Sequence, residues 1–445
     1  MNILVVVGGG SLILLLAYFT FGKFLSKKVF ELDDSRVTPA VEMEDGVDYE
    51  PIDAKYLAGQ HFSAIAAAGP VTGPIAAGIA FGWVPTMLWI ILGTIFIGGV
   101  HDMGSLVASI RHKATGIADT MKTYVSKRVW ILFNVFIFFT LILIIVAFTD
   151  VTTSSFINTI TLDDESVVGG GATATSSILY LILPIIMGLL MRYTKLSLKW
   201  ATIIFLPLVA LAIWVGPYIP LNYPNKNFWN IVVIIYCIIA GIVPVWILLQ
   251  PRGHLGGYFL YATLIVSFIG IIFGGFKTEY PAFTFGSELD NAPGNFWTPM
   301  FPMLFITVAC GACSGFHSLV SSGTTSKQLK KETDAKPIGY GMMLAEGVVA
   351  LVALSTVMIL KPGDALLKTS PNFIYANGLG DFMAKFGLSK AFGISFGLMA
   401  FTTFVYDTLD VCTRLGRFIF QELSGMKGWV GRWTGTLLIG GIPVI

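Results

Sequence analysis

At 445 residues, with 55% of them hydrophobic, 12% charged and a mean hydropathy of +0.77, the chain cannot be a soluble globular enzyme, because a wetted surface needs about a quarter charged residues. The net charge of +2 gives no reason to expect a nucleic-acid partner. Cys237, Cys310, Cys313 and Cys412 all fall in apolar stretches, so cysteine usage says nothing about an oxidising compartment.

The composition predicts an all-α polytopic membrane protein. Apolar runs of about 20 residues mark twelve expected spans: 3–22, 60–82, 84–110, 129–153, 176–191, 200–216, 231–249, 257–276, 298–318, 338–360, 391–412 and 429–445. The first run has its basic residues Lys23, Lys27 and Lys28 behind it rather than in front, which argues for an uncleaved anchor with the N-terminus outside rather than a signal peptide. Loops on alternate sides carry 22 lysines and arginines against 6, and the richer side is expected in the cytoplasm. The acidic loop Asp163, Asp164, Glu165 and the aromatic loop 217–230 are then outside. The connection 23–58, mixed in charge and without a helical period, is expected to be a solvated cytoplasmic loop.

The second span holds the stretch that organises the chain. Small residues run from His61 to Gly78 and are interrupted by Gly69, Pro70, Gly73 and Pro74. Proline removes a backbone donor and clashes with the preceding turn, so a helix here is expected to break near its centre. In lipid, the freed amides and carbonyls must meet protein or line a polar cavity, which is how broken helices hold substrate and ions in secondary transporters. The span 231–249 runs the opposite way and is interrupted at Gly241 and Pro244. Each interrupted span is followed by four more, so residues 59–230 and 231–412 read as a five-plus-five inverted repeat, after an anchor (1–22) and a loop (23–58) and before a C-terminal extension (413–445).

Ionisable groups inside apolar spans are functional candidates by default. His101 and Asp102 follow a Gly-Gly step in the third span, where a buried carboxylate suits proton coupling or caps the neighbouring broken helix. In the ninth span Cys310, Cys313, Ser314, His317 and Ser321 follow helical spacing, so they are expected on one face as an ion or substrate surface, or as small-residue packing. Cys310, Cys313 and His317 form only a weak metal candidate, lacking a fourth ligand at matching spacing. Glu346 in the tenth span reads either as a proton carrier or as a carboxyl held by one structural hydrogen bond. Asp407, Asp410 and Arg414 share a face and are assigned to an ion pair or gate at a cytoplasmic helix end; His61 suits gating or anchoring. No nucleophile elbow, phosphate loop or haem spacing is present, so no enzyme chemistry is expected.

These residues resemble the carbon starvation protein A family of prokaryotic transporters. The resemblance rests on Asp48-Tyr-Glu-Pro51, Gly59-Gln-His-Phe-Ser-Ala-Ile-Ala-Ala-Ala-Gly-Pro70 with Gly73-Pro74, Leu304 to Gly311, Ser314-Gly-Phe-His317 to Thr324, Ile338 to Glu346, and Leu409-Asp410 with Thr413-Arg414. It implies a leucine-transporter-like fold of the amino acid-polyamine-organocation superfamily and uptake of pyruvate or short peptides across the plasma membrane. His101 stands where members usually have Gln, Cys313 where many have an apolar residue, and members usually run on past residue 445, so further C-terminal helices are expected.

The expected mechanism is alternating access with no cofactor. Free amides after Gly73 present a positive helix end to a carboxylate; Ser63, Gly69, Pro70, Thr72, Gly73, Gly241, Pro244, Ser314, His317 and Ser321 are the expected substrate residues. Asp102 couples protons, with His101 and Glu346. Sodium, held near Ala66 by backbone carbonyls and by Ser318 and Ser322, is the alternative ion. A membrane sensor derived from a transporter is the alternative function.

Overall fold

The computed structural model describes residues 1–161, 167–194, 196–284, 300–426 and 428–444. The acidic loop 163–165, the first two residues of the expected ninth span and Ile445 lie outside the described residues.

The long helices are α1 (Ile3–Val29), α2 (Ala54–Ile65), α3 (Gly69–Phe81), α4 (Trp83–Ile110), α5 (Lys127–Ile157), α6 (Gly171–Thr194), α7 (Leu198–Tyr218), α8 (Lys226–Ile242) and α9 (Leu249–Gly274). A span in three pieces follows, α10 (Met300–Thr307), α11 (Ala309–Cys313) and α12 (Gly315–Val320), the last continued by a wide turn over Ser321–Thr325. The chain ends with α13 (Glu332–Met358), α14 (Pro371–Ala384), α15 (Lys390–Ser424) and α16 (Gly428–Gly441). A two-stranded ribbon, Thr159–Thr161 against Val167–Gly169, is the only sheet among the described residues.

Eight of these helices are long and apolar enough to cross a membrane, or nine if the bent pair α2–α3 is one span. That differs from the twelve spans expected, because several apolar runs are carried by short or broken helices. α15 and α13 are central, with 89% and 78% of their apolar windows buried, whereas α5 and α7 bury only 28% and turn most of their surface outward.

The break in α2–α3 falls earlier than expected. Residues 69–74 are the first turns of α3, and the 44° bend lies at Ala66–Ala68. Proline accounts for the shift. Pro70 occupies the first turn of α3, where amides have no helical partner, but its ring would strike the carbonyl four residues back, at Ala66. Ala66 accordingly leaves helical geometry, with φ −76° and ψ 54°.

The second interruption also differs. Val243 is extended, as the residue before a proline tends to be, and Pro244 separates two whole helices, α8 and α9, rather than breaking one at mid-membrane. The broken span that meets α2–α3 is instead α10–α12. Its α11 packs on α3 and its α12 on α2. The contact is close enough that a Cβ on Gly69 would overlap the Cβ of Cys310.

The segment between α1 and α2 is pinned along its length. Asp34 accepts from the Thr333 amide at 2.9 Å, Arg36 pairs with Glu332 at 2.9 Å, and Asp48 pairs with Arg417 at 2.8 Å. Ile52 bridges Leu329, and Asp53 caps α2 by accepting from the Lys55 amide at 2.9 Å. It is a surface strap across one end of the bundle, held by these contacts and exposed over residues 33–37 and 41–45.

Candidate functional site

Three elements converge on the first cluster. α4 supplies Asp102, α12 supplies His317 and α13 supplies Glu346, and all three side chains are buried. His317 Nδ1 stands 3.4 Å from Asp102 Oδ2 and 3.3 Å from Glu346 Oε2, with Met343 Sδ at 3.1 Å. A single ring nitrogen carries at most one proton, so it can donate fully to only one carboxylate at a time. The other oxygen of Asp102 lies 2.7 Å from His101 Nδ1, which also meets Ser318 Oγ at 3.0 Å. Among the described residues no lysine or arginine pairs with either carboxylate. Two buried carboxylates sharing histidines concentrate costly charge in a low-dielectric interior, which marks them as functional candidates.

Helix interruptions make this meeting possible. Ser314, extended at φ −63° and ψ 119°, ends α11 and starts α12 in a new direction. The stripe expected through Cys310, Cys313, Ser314, His317 and Ser321 is therefore split. Cys310 sits against Gly69 and 3.6 Å from Ser314 Oγ, while His317 turns to the carboxylates. Among the described residues no group of three or more His, Cys, Asp or Glu is placed to hold a metal, so Cys310, Cys313 and His317 are not brought together as a ligand set. One turn before the break in α2, His61 Nδ1 meets Thr325 Oγ1 at 2.8 Å.

The second cluster fastens the other side of the break. Arg252 of α9 reaches Asp407 at 2.5 Å and Asp410 at 3.2 Å, and Arg414 reaches Asp410 at 3.0 Å; all four are buried. Ser63 donates to Asp407, and Thr408 Oγ1 donates to the Ala64 carbonyl at 2.9 Å. Arg414 donates to the Ala240 carbonyl at 2.5 Å. Two carboxylates stand against two guanidiniums, and the network ties α2, α8, α9 and α15 into one body. The expected pair Asp410–Arg414 is present and fully buried in the bundle.

Arg252 was missed in sequence, where it counted as a cation of the loop 250–256. Its signal is Pro251, the third residue of α9, since proline marks the first turn of a helix. The remaining expected substrate and ion residues divide between the break, the ninth span and the second cluster. Thr72 Oγ1 returns to the Ala68 carbonyl at 2.9 Å, Ser321 Oγ is buried with no partner among the described residues, and Ser322 Oγ donates to the Ser318 carbonyl at 2.7 Å. Ala66 is buried within the break. Gly241 faces Thr413 and Thr436, next to the Ala240 carbonyl that Arg414 of the second cluster holds, and Pro244 lies in the turn between α8 and α9.

Broken helices wrapped around buried ionisable groups in an otherwise apolar bundle define a helical, multi-pass membrane protein whose charge chemistry is internal. The chain belongs to the family described as carbon starvation protein CstA, whose model matches residues 2–373. It is 37% identical over 359 residues to the peptide transporter CstA of Campylobacter jejuni, covering 79% of this chain and 49% of that one. It is 30% identical over 473 aligned positions to the peptide transporter CstA of Bacillus subtilis, covering 96% and 75%. It is also 33% identical over 368 residues to the pyruvate/proton symporter BtsT of Escherichia coli, covering 80% and 49%. The chain thus spans about half the length of the Campylobacter and Escherichia relatives. All three names are those of transporters and none is that of an enzyme. Among solved structures, a mutant manganese transporter of Eremococcus coleocola is similar at 14% identity and a TM-score of 0.40, over 91% of this chain and 74% of that one.

Proposed function

We propose that the chain is the core of a secondary active importer of small carboxylates or short peptides, pyruvate among them, driven by protons through alternating access. The observation that carries the reading is His317, held between Asp102 and Glu346 beside the break in α2–α3. A proton bound there changes the charge of the cluster, and with it the cost of keeping α4, α12 and α13 together. In this reading an acid meets the chain at the bend over Ala66–Ala68, with Ser63, Gly69, Pro70, Thr72, Gly73 and Ser314 around it. The relatives named for peptide transport and for pyruvate/proton symport support the substrate class and the ion. A five-plus-five inverted repeat belongs to the same reading, with α2–α3 broken in the first half and α10–α12 in the second. So do an N-terminus outside, the plasma membrane of a prokaryote, and the Arg252 network with His61 acting as a gate.

The test is uptake by the full chain in proteoliposomes, with pyruvate and with di- and tripeptides. An inward proton gradient is expected to drive accumulation, and Asp102→Asn is expected to abolish accumulation while sparing exchange. Uptake indifferent to the proton gradient and dependent on sodium would replace the ion. Binding without flux would replace the transporter by a sensor.

A further inference from the structure

α1 and α13 cross the bundle antiparallel as neighbours, and they part along one side. The groove between them holds about 400 Å³ and is lined by Leu14, Leu15, Tyr18, Met342, Ala345 and Val348. Leu15 is 54% exposed, so the groove opens where the bundle meets lipid. One end is strongly positive. Lys336 Nζ lies 4.3 Å from the centre of the Tyr18 ring, its stem reaches toward Gly22, and Lys23 and Lys27 of α1 bring two more charges near it. Among the described residues none of these three lysines forms an ion pair, and the nearby Glu332 is already held by Arg36 and Arg111.

We propose that this groove binds one anionic phospholipid, with an acyl chain along α1 and α13 and the phosphate at Lys23, Lys27 and Lys336. An unpaired triad of cations at the mouth of an apolar, lipid-facing cleft fits a ligand that is hydrocarbon at one end and anionic at the other. A neutral lipid would fill the cleft but leave the three charges repelling one another. The lipid would lie against the helix that carries Glu346 on its buried face, and so could bias the arrangement of that helix.

The full chain is reconstituted in nanodiscs of phosphatidylethanolamine and phosphatidylglycerol, released gently, and weighed by native mass spectrometry. Phosphatidylglycerol is expected to stay bound in preference to phosphatidylethanolamine. Each lysine near a membrane surface contributes about five-fold to such binding, so the triple variant Lys23→Ala, Lys27→Ala, Lys336→Ala is expected to lose about a hundred-fold in retention. Val348→Trp, which fills the groove and leaves the lysines in place, is expected to lose the lipid too, and decides alone if the triple variant does not fold. Equal retention of both lipids, unchanged retention in Val348→Trp, or a polypeptide mass in place of lipid would overturn the proposal.

Discussion

Arg252 and Asp407 lie 2.5 Å apart, both buried, and just before the break in α2 Ser63 donates to Asp407 while Thr408 donates to the Ala64 carbonyl. The pair turns two expensive charges into a clamp. Because Asp410 and Arg414 complete it, neither sign is left over.

Removing one member should therefore be worse than removing a matched pair. Arg252→Met is expected to destabilise the protein by about 3–5 kcal/mol, since it strands a buried carboxylate. Arg252→Met with Asp407→Leu is expected to recover part of that loss. Thermal unfolding in detergent measures both, and a double variant no better than the single one would count against a charge clamp.

The approach of α11 to α3 is testable by volume alone. A Cβ on Gly69 would overlap that of Cys310, so Gly69→Ala is expected to cost about 1–3 kcal/mol through overpacking. Cys310→Gly in the same chain should restore most of it. Unfolding midpoints for the two single variants and the double variant read the coupling directly.

The strap should hold against mild acid. Burial alone would raise the Asp48 carboxyl, but Arg417 and Arg414 outweigh it and hold it below the usual aspartate range. A carboxylate whose folded pKa is depressed contributes stability that is fully present above its unfolded value, about 3.9, and is lost as pH falls through the folded value. Hydrogen exchange of residues 43–53 is expected to be steady from neutral pH down to about 4 and to rise only below that. Release near pH 6 would contradict the assignment, and Asp48→Asn should expose the strap at all pH values.

Hydropathy made the helical bundle legible, because a membrane leaves the backbone few alternatives. The pattern did not reveal where helices stop. Pro70 and Pro244 look alike in sequence, yet one opens a helix whose ring contact bends the chain at Ala66, and the other separates α8 from α9. α14 escaped notice because Asn372, Asn377 and Asp381 lower its hydropathy, although it is packed against α15 and largely buried. At the site, Asp102, His317 and Glu346 were each visible as charges in apolar runs. Their convergence was not, since it depends on the turn at Ser314. Arg252 was hidden by the habit of assigning cations to loops, which a bundle with buried carboxylates defeats.

Glu346→Gln tests the central claim most directly, because it removes one titratable carboxyl from the His317 cluster while keeping its size and a hydrogen-bonding group. Accumulation of pyruvate in proteoliposomes under an inward proton gradient, set against exchange without a gradient, is the measurement. The proton-coupling account expects accumulation to fall to the level of passive exchange in Glu346→Gln, with exchange itself kept within a few-fold. A variant that still accumulates substrate with the full gradient dependence of the parent would contradict it.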